Sequence, residues 1–124
     1  MSSYVTKKTP GNTAWFTHDR FGMFIHWGLY ALLAGSYAGR ESGGNAEWIM
    51  HDLHIPPEEY RTLAGRFDPV DFDADAIVRL CREAGMRYIV FTAKHHDGFH
   101  MWDPAFSDYK ITNAPFGRDY LREL

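Results

Sequence analysis

The sequence predicts an α/β fold built on a parallel sheet, and three patterns predict it. Two short, aromatic-rich apolar runs, residues 21–26 and 88–92, are typical of strands that are buried on both faces. Segments with helical periodicity lie between them, and a strand–helix–strand order favours parallel pairing. Both runs end in polar loops that carry histidines, and α/β proteins bind their ligands where parallel strands end.

The segment between the two predicted strands begins with a glycine-rich stretch. Residues 35–45 hold four glycines and predict a flexible loop, and residues 46–52 predict a short helix. A longer helix is expected to begin at Pro56, because proline followed by acidic residues is typical of a first helical turn. Its apolar side chains recur at the spacing of one helix face, at Tyr60, Leu63, Ala64 and Phe67.

A second amphipathic helix is predicted over residues 74–84. Asp73 is the expected N-cap, and Gly85 is the expected stop after the last turn. Residues 116–124 again carry helix-forming side chains, so another helix is expected to begin there. The apolar stripe of the second helix comprises Ile77, Leu80, Cys81 and Ala84.

Length and charge narrow the possible functions. The chain has 124 residues, of which 45% are hydrophobic and 16% aromatic, and this is the composition of a globular protein. Its 13 basic and 16 acidic residues give a net charge of −3 without a basic run, so neither nucleic acid nor an anionic membrane is expected as a partner. No apolar segment approaches the roughly 20 residues of a membrane span.

The first residues and the single cysteine indicate the cellular compartment in which the protein is expected. Residues 1–13 are polar and lack the apolar stretch of a secretory signal, so a cytoplasmic location is expected. The chain has one cysteine, Cys81, which excludes an internal disulfide. Its place in a helical pattern favours a buried structural thiol over a nucleophile.

Three clusters carry side chains suited to binding a small ligand: residues 26–27, 47–48 and 94–97. Histidine and glutamate can hydrogen-bond several hydroxyls in fixed geometry, and tryptophan offers a flat apolar surface to the C–H face of a sugar ring. This inventory fits a carbohydrate site at the ends of the predicted strands. The alternative is that these side chains simply pack in the core, and residue types alone leave both interpretations open.

Metal binding is the competing functional interpretation, because the chain has 7 histidines. His51 and His54 are three residues apart and can share one helix face, whereas the adjacent His95 and His96 would point to opposite sides of a strand. No HExxH or HxH pattern occurs. We therefore expect neither a metal nor a cofactor, and a small metal-binding α/β protein remains the alternative.

Covalent catalysis by serine or cysteine finds no support. The sequence has no G-x-S-x-G elbow, and its glycine-rich stretch lacks the patterns that cradle phosphates. Asp97 lies between the histidine pair and Gly98. A carboxylate in such a turn is expected to hold the backbone amides of its own loop.

The block RFGMFIHWGLY at residues 20–30 resembles the FG-(M/I)-F-I-H-W-G block of the α-L-fucosidases of glycoside hydrolase family 29. The resemblance extends from about Trp15 to the last residue. Further segments fit the family in order: residues 46–48, residues 67–74, residues 84–99 with the family's histidine pair, Trp102, and residues 118–119.

The resemblance implies a (β/α)8 TIM-like catalytic barrel, of which this chain would be the N-terminal portion. That portion is incomplete, with about two βα units, since a whole barrel needs roughly 250 residues. Residues 1–14 would then be a polar lead and residues 15–124 a partial catalytic domain. The family's residues at the matching positions hydrogen-bond or enclose fucose, which implies a substrate site formed by His26, Glu47, His95, His96, Trp48 and Trp102.

The resemblance also implies an activity, the hydrolysis of terminal α-L-fucose by a retaining double displacement. The family's nucleophile and acid/base lie later in the barrel, so no residue of this chain is given a catalytic role, and the chain alone is expected to be inactive. Its expected partners are a fucosylated oligosaccharide or glycoconjugate, and a second chain or missing C-terminal part that completes the barrel. The alternative is a non-catalytic fucose-binding fragment or one half of a split enzyme.

Overall fold

The computed structural model describes residues 11–124, so most of the predicted polar lead lies outside the described residues. Within this part of the chain, none of the helices combines the length and the apolar character needed to cross a membrane. Short 3-10 helices occur at Leu29–Leu32, Ala46–Trp48, Thr62–Arg66 and Ile111–Asn113. The α-helices and strands follow in the order α1 (Ala14–Asp19), β1 (Gly22–Ile25), β2 (Ser36–Tyr37), β3 (Arg40–Glu41), α2 (Ile49–Asp52), α3 (Pro57–Arg61), α4 (Ala74–Glu83), β4 (Tyr88–Phe91) and α5 (Tyr120–Glu123).

Strands β1 and β4 form a parallel pair, which confirms the predicted α/β class and strand order. Their register places Ile25 opposite Phe91 at the carboxyl ends. The ladder continues past that end, because the Thr92 N–H donates to the Ile25 carbonyl at 3.0 Å. The loops that follow the two strands therefore leave the sheet side by side.

The two faces of this sheet differ, so the prediction that both strands are buried on both faces is wrong. On one face the Met23 sulfur lies 3.5 Å from the Cys81 thiol of α4. On the other face Phe24 and Val90 are register partners, and they remain 65% and 45% exposed. The reason is that, among the described residues, the sheet has two strands and α4 covers one side of it.

The core lies beyond the carboxyl ends of the strands rather than under the sheet. It joins the segment that follows β1 to the segment that follows β4, so the loops at this end are packed against each other. This packing holds them in place without further strands. The largest fully buried side chains are those of Tyr60, Tyr120, Phe67, Phe99, Leu29, Ile49, Met101, Ile111 and Pro104.

Both longer predicted helices occur, with different degrees of burial. Helix α3 and the 3-10 turn after it bury Tyr60, Leu63 and Phe67 as predicted. The predicted N-cap of α4 is confirmed, since the Asp73 carboxylate accepts from the Ala76 N–H at 2.9 Å. Gly85 after the helix has the expected positive φ of 76°.

The predicted apolar stripe of α4 is buried only in part. Cys81 is buried as predicted, but Leu80 is 57% exposed and Ala84 is exposed as well. A sheet of two strands is too narrow to cover the whole apolar face of a ten-residue helix. The prediction of a full stripe was therefore wrong at these two positions.

The predicted flexible loop at residues 35–45 contains a β-hairpin, formed by the antiparallel strands β2 and β3. Ala38 and Gly39 both have positive φ, which is the backbone of a two-residue turn that matches the twist of a hairpin. The hairpin is anchored, because the Tyr37 hydroxyl donates to the Glu59 carboxylate of α3. The short helical segment predicted after the loop is confirmed by the 3-10 turn and α2.

Candidate functional site

Two of the predicted site residues are placed by the strands themselves. His26 follows β1 directly, and His95 lies four residues beyond the end of β4. Because the strands are parallel and in register, both loops emerge at the same edge of the sheet. The two imidazole rings consequently face each other with their centroids 4.9 Å apart.

Glu47 joins these histidines from a different part of the chain. It lies in the 3-10 turn before α2, and Ile49, completely buried in the core, anchors that segment. Side-chain ligand atoms of His26, Glu47 and His95 all lie within 4.8 Å of one another. We call these three residues the trio; it offers one carboxylate and two imidazoles to a single point at the sheet edge.

Trp48 and His96 form a wall beside the trio. Their ring centroids are 3.7 Å apart, and the indole also meets the His95 ring edge-on at 6.3 Å. Trp48 is 38% exposed, so one part of its ring is free to contact a ligand. The pair thus supplies a flat apolar surface with a polar imidazole next to the converging groups of the trio.

Trp102 lies apart from the other five predicted site residues. Its ring contacts among the described residues are with His100 and Phe106, each at a centroid distance of 6.1 Å. The Met101 N–H donates to the Ala93 carbonyl at 2.9 Å, and this bond closes the loop that carries the histidine pair. The structure therefore brings together His26, Glu47, His95, His96 and Trp48, and leaves Trp102 in a separate aromatic cluster.

The loop that carries His95 and His96 is held by Asp97. One oxygen of this carboxylate accepts from the Phe99 N–H at 3.0 Å, as the sequence predicted for a turn aspartate, and the other accepts from the Tyr60 hydroxyl at 3.3 Å. Gly98, at φ +77°, makes the turn between them. Burial raises the pKa of Asp97, while its two hydrogen-bond donors oppose that rise.

The electrostatics of the trio favour a neutral imidazole at its centre. Burial lowers the pKa of His95, and the neighbouring His96 and His26 lower it further. A neutral imidazole has one N–H donor and one acceptor nitrogen. At neutral pH His95 therefore has one nitrogen that donates a hydrogen bond and one that accepts one.

Tyr30 belongs to this site, and the sequence analysis did not single it out. Its buried ring contacts the His26 ring at 5.6 Å and the His95 ring at 5.4 Å. Its hydroxyl and the Nδ1 atom of His95 are both buried without a hydrogen-bond partner among the described residues. An unmet buried polar atom costs about 1–3 kcal/mol, so two of them on neighbouring rings indicate a functional arrangement. The available signal was its spacing, four residues after His26.

The trio is also the set of side chains whose positions would suit a metal ion, since it contains three potential ligands around one point. The pair suggested by sequence, His51 and His54, is arranged differently. Both side chains are exposed, and their rings are stacked 6.3 Å apart. No third ligand converges with them within residues 11–124.

Comparison with known proteins places this geometry in a family. The family model for alpha-L-fucosidase matches residues 3–124. The tissue alpha-L-fucosidase of Rattus norvegicus is 35% identical over 118 residues, which cover 89% of this chain and 25% of the rat protein. The plasma alpha-L-fucosidase of Homo sapiens is 31% identical, with 90% of this chain and 25% of the human protein covered. The chain thus spans a quarter of the length of these curated relatives.

Solved structures give the same result. The alpha-L-fucosidase AlfC from Lactobacillus casei is 49% identical with a TM-score of 0.86, over 90% of this chain and 34% of that one. A GH29 alpha-L-fucosidase from Bacteroides thetaiotaomicron, solved as a trapped covalent intermediate, is 39% identical with a TM-score of 0.85, over 88% of this chain and 25% of that one. Because the family model spans nearly the whole sequence and these neighbours share its fold, the chain belongs to the alpha-L-fucosidase family.

Proposed function

We propose that this chain forms the fucose-binding part of the active site of an α-L-fucosidase, with fucosylated oligosaccharides or glycoconjugates as substrates. The observation that carries the proposal is the convergence of His26, Glu47 and His95 at the carboxyl edge of a parallel strand pair. Barrel enzymes bind their substrates at this edge. The chain's membership in the family supplies the identity of the sugar.

The chemistry of the proposed pocket suits a sugar. The trio offers donors and acceptors for vicinal hydroxyls, and the charged Glu47 makes the strongest of these hydrogen bonds. Trp48 and His96, whose rings touch at a tilt of 35°, present an aromatic surface on which the apolar face of the sugar can rest. Trp102 has no described contact that supports a place in this pocket, so the proposal rests on the other five residues.

The proposed reaction of the whole enzyme is a retaining double displacement through a covalent fucosyl-enzyme. The trapped covalent intermediate of the Bacteroides thetaiotaomicron relative supports this route. Such a reaction needs two carboxyl groups roughly 5 Å apart. Glu47 is assigned to binding, and the Asp97 carboxylate is taken up by Phe99 and Tyr60. We therefore assign the nucleophile and the acid/base to residues outside this chain.

The partner in this proposal is the rest of a (β/α)8 barrel, supplied by a continuation of the same polypeptide or by a second chain. The exposed sheet face of Phe24 and Val90 supports it, because the inward face of a barrel strand is normally covered by the other strands. The chain alone is then expected to bind fucose without hydrolysing it. A purely binding role is the second candidate, favoured by the fact that all five proposed contacts lie within this chain.

Hydrolysis of 4-nitrophenyl α-L-fucoside tests the proposal, with the protein purified from its native host under conditions that preserve complexes. Activity that is lost in a Glu47→Gln variant, but kept in a His51→Gln control, would support the enzyme. Saturable fucose binding without turnover would support the second candidate. If neither is seen and the protein instead carries a stoichiometric transition metal, the trio is a metal site and the proposal fails.

A further inference from the structure

Tyr30 is held in a close-packed position between two members of the trio. Its ring meets His26 and His95 edge-on, at interplanar angles of 77° and 67°. Gly28 allows this position, since a Cβ atom there would lie 2.8 Å from a ring carbon of Tyr30. The Tyr30 ring is therefore held between Gly28 on one side and the two imidazoles on the other. Its hydroxyl is buried in the site.

Two buried polar atoms in this cluster lack partners, the hydroxyl of Tyr30 and Nδ1 of His95. The two atoms belong to neighbouring rings, whose centroids are 5.4 Å apart. Tyrosine can donate its hydroxyl proton, and a neutral imidazole carries a lone pair on one nitrogen. The two atoms are complementary.

Asp97 and Glu47 are the carboxylates whose charges act on the Tyr30 hydroxyl. The Asp97 carboxylate accepts from the Phe99 N–H and from the Tyr60 hydroxyl. Glu47 is only half-buried, so water can satisfy its carboxylate. Nδ1 of His95 is the buried acceptor of this cluster that has no partner among the described residues.

We propose that Tyr30 is a positioning residue, whose hydroxyl donates to Nδ1 of His95 and so keeps the proton of that imidazole on Nε2. The partner of one ring nitrogen sets the state of the other, and the Nε2–H group is then a fixed donor at the trio. The consequence for sugar binding rests on the proposed function. The predicted tautomer of His95 does not depend on the proposed function.

The test is the tautomer of His95, read from long-range ¹H–¹⁵N correlation of the imidazoles in the purified protein at neutral pH. The wild type is expected to hold His95 almost entirely as the Nε2–H form. Tyr30→Phe keeps the ring and removes the hydroxyl, so the Nδ1–H form should gain several-fold in population. Tyr109→Phe is the matched control, because it removes another buried hydroxyl without a described partner, on a ring that contacts Phe99. This control should leave the tautomer unchanged.

A second variant covers the case in which Tyr30→Phe does not fold. Gly28→Ala keeps the hydroxyl but displaces the Tyr30 ring, and it should shift the tautomer in the same direction. An Nδ1–H form in the wild type, or an unchanged Nε2–H form in the variant that folds, would overturn the proposal. A fucose titration of the same samples separates the two proposals. A tautomer shift without fucose binding supports the positioning role of Tyr30 and contradicts the sugar site. Fucose binding without a tautomer shift contradicts the positioning role of Tyr30 and leaves the sugar site intact.

Discussion

Glu47 is the carboxylate of the trio, and its value to a ligand comes from its charge. A hydrogen bond to a charged group contributes about 1.5–3 kcal/mol, which is roughly a tenfold to hundredfold effect on a dissociation constant. We therefore expect Glu47→Gln to weaken the binding of α-L-fucose at least tenfold. Isothermal titration or chemical-shift titration with the free sugar measures it.

The control for this substitution is Glu58→Gln, an exposed acidic residue in the first turn of α3. It changes the net charge by the same amount at a site away from the trio. Equal affinities in the wild type and the Glu47 variant would remove the main support for a sugar pocket at this edge.

His95 and His100 should make the stability of the fold sensitive to acid. Burial lowers the pKa of each below its usual 6.5, with His96 adding to the effect at His95 and Lys94 at His100. As the pH falls through about 6.5, the unfolded chain takes up protons at these positions before the folded one does. The free energy of unfolding therefore decreases, and the urea midpoint should drop between about pH 7.5 and pH 5.5.

Replacing His100 with Gln should make this drop smaller, whereas His18→Gln should not, because the His18 side chain is 82% exposed. Asp97 acts in the opposite direction, since its raised pKa favours the folded state as the pH falls from that raised value through the ordinary 3.8. If the urea midpoint depends on pH in the same way in all three proteins, burial does not lower the pKa of His100.

At the scale of single residues, much of the site could be predicted, because its members follow strand ends or lie beside a tryptophan in short motifs. Tyr30 could not, since its importance comes from ring contacts with His95, which lies 65 positions along the chain. Trp102 was predicted with the site because it fits a position of the family after the histidine pair. Its described ring contacts are instead with His100 and Phe106, and a pattern in sequence does not reveal such contacts.

At the scale of elements, the N-cap of α4 gives a direct test of local stability. The Asp73 carboxylate accepts from the Ala76 N–H, and loss of such a cap costs about 0.5–2 kcal/mol. Asp73→Ala should lower the free energy of unfolding by that amount. Asp71→Ala is the control, because it removes an exposed acid just before the helix that caps nothing in the described hydrogen bonds. Chemical denaturation of both variants gives the comparison, and equal stability would contradict a role for the cap.

The elements that depend on local signals were predictable, and those that depend on distant partners were not. The starts of α3 and α4, the glycine after α4 and both central strands carry their signals within a few residues. The hairpin at residues 35–45 does not, because its anchor is a hydrogen bond from Tyr37 to Glu59 in the next helix. Burial of Leu80 was mispredicted for the same reason, since it depends on the width of the sheet beneath α4.

At the scale of the whole molecule, the fold is well packed at one end and open along one face. The core joins the two loop segments beyond the strands and holds the trio in place. The sheet face of Phe24 and Val90 is exposed, and no strand of the described chain pairs with the outer edges of β1 or β4. An open apolar face with free edges favours association with other strands.

This open face yields a prediction about complementation. Co-expression with the part of the Lactobacillus casei AlfC chain that this chain does not cover should give a soluble complex that hydrolyses 4-nitrophenyl α-L-fucoside. Phe24→Asp places a charge where a barrel interior would be dry, so it should abolish the complex and its activity. Val70→Asp adds the same charge at an exposed apolar side chain in the loop before α4 and should preserve both. If both variants assemble equally well, the exposed sheet face is not where the rest of the barrel joins.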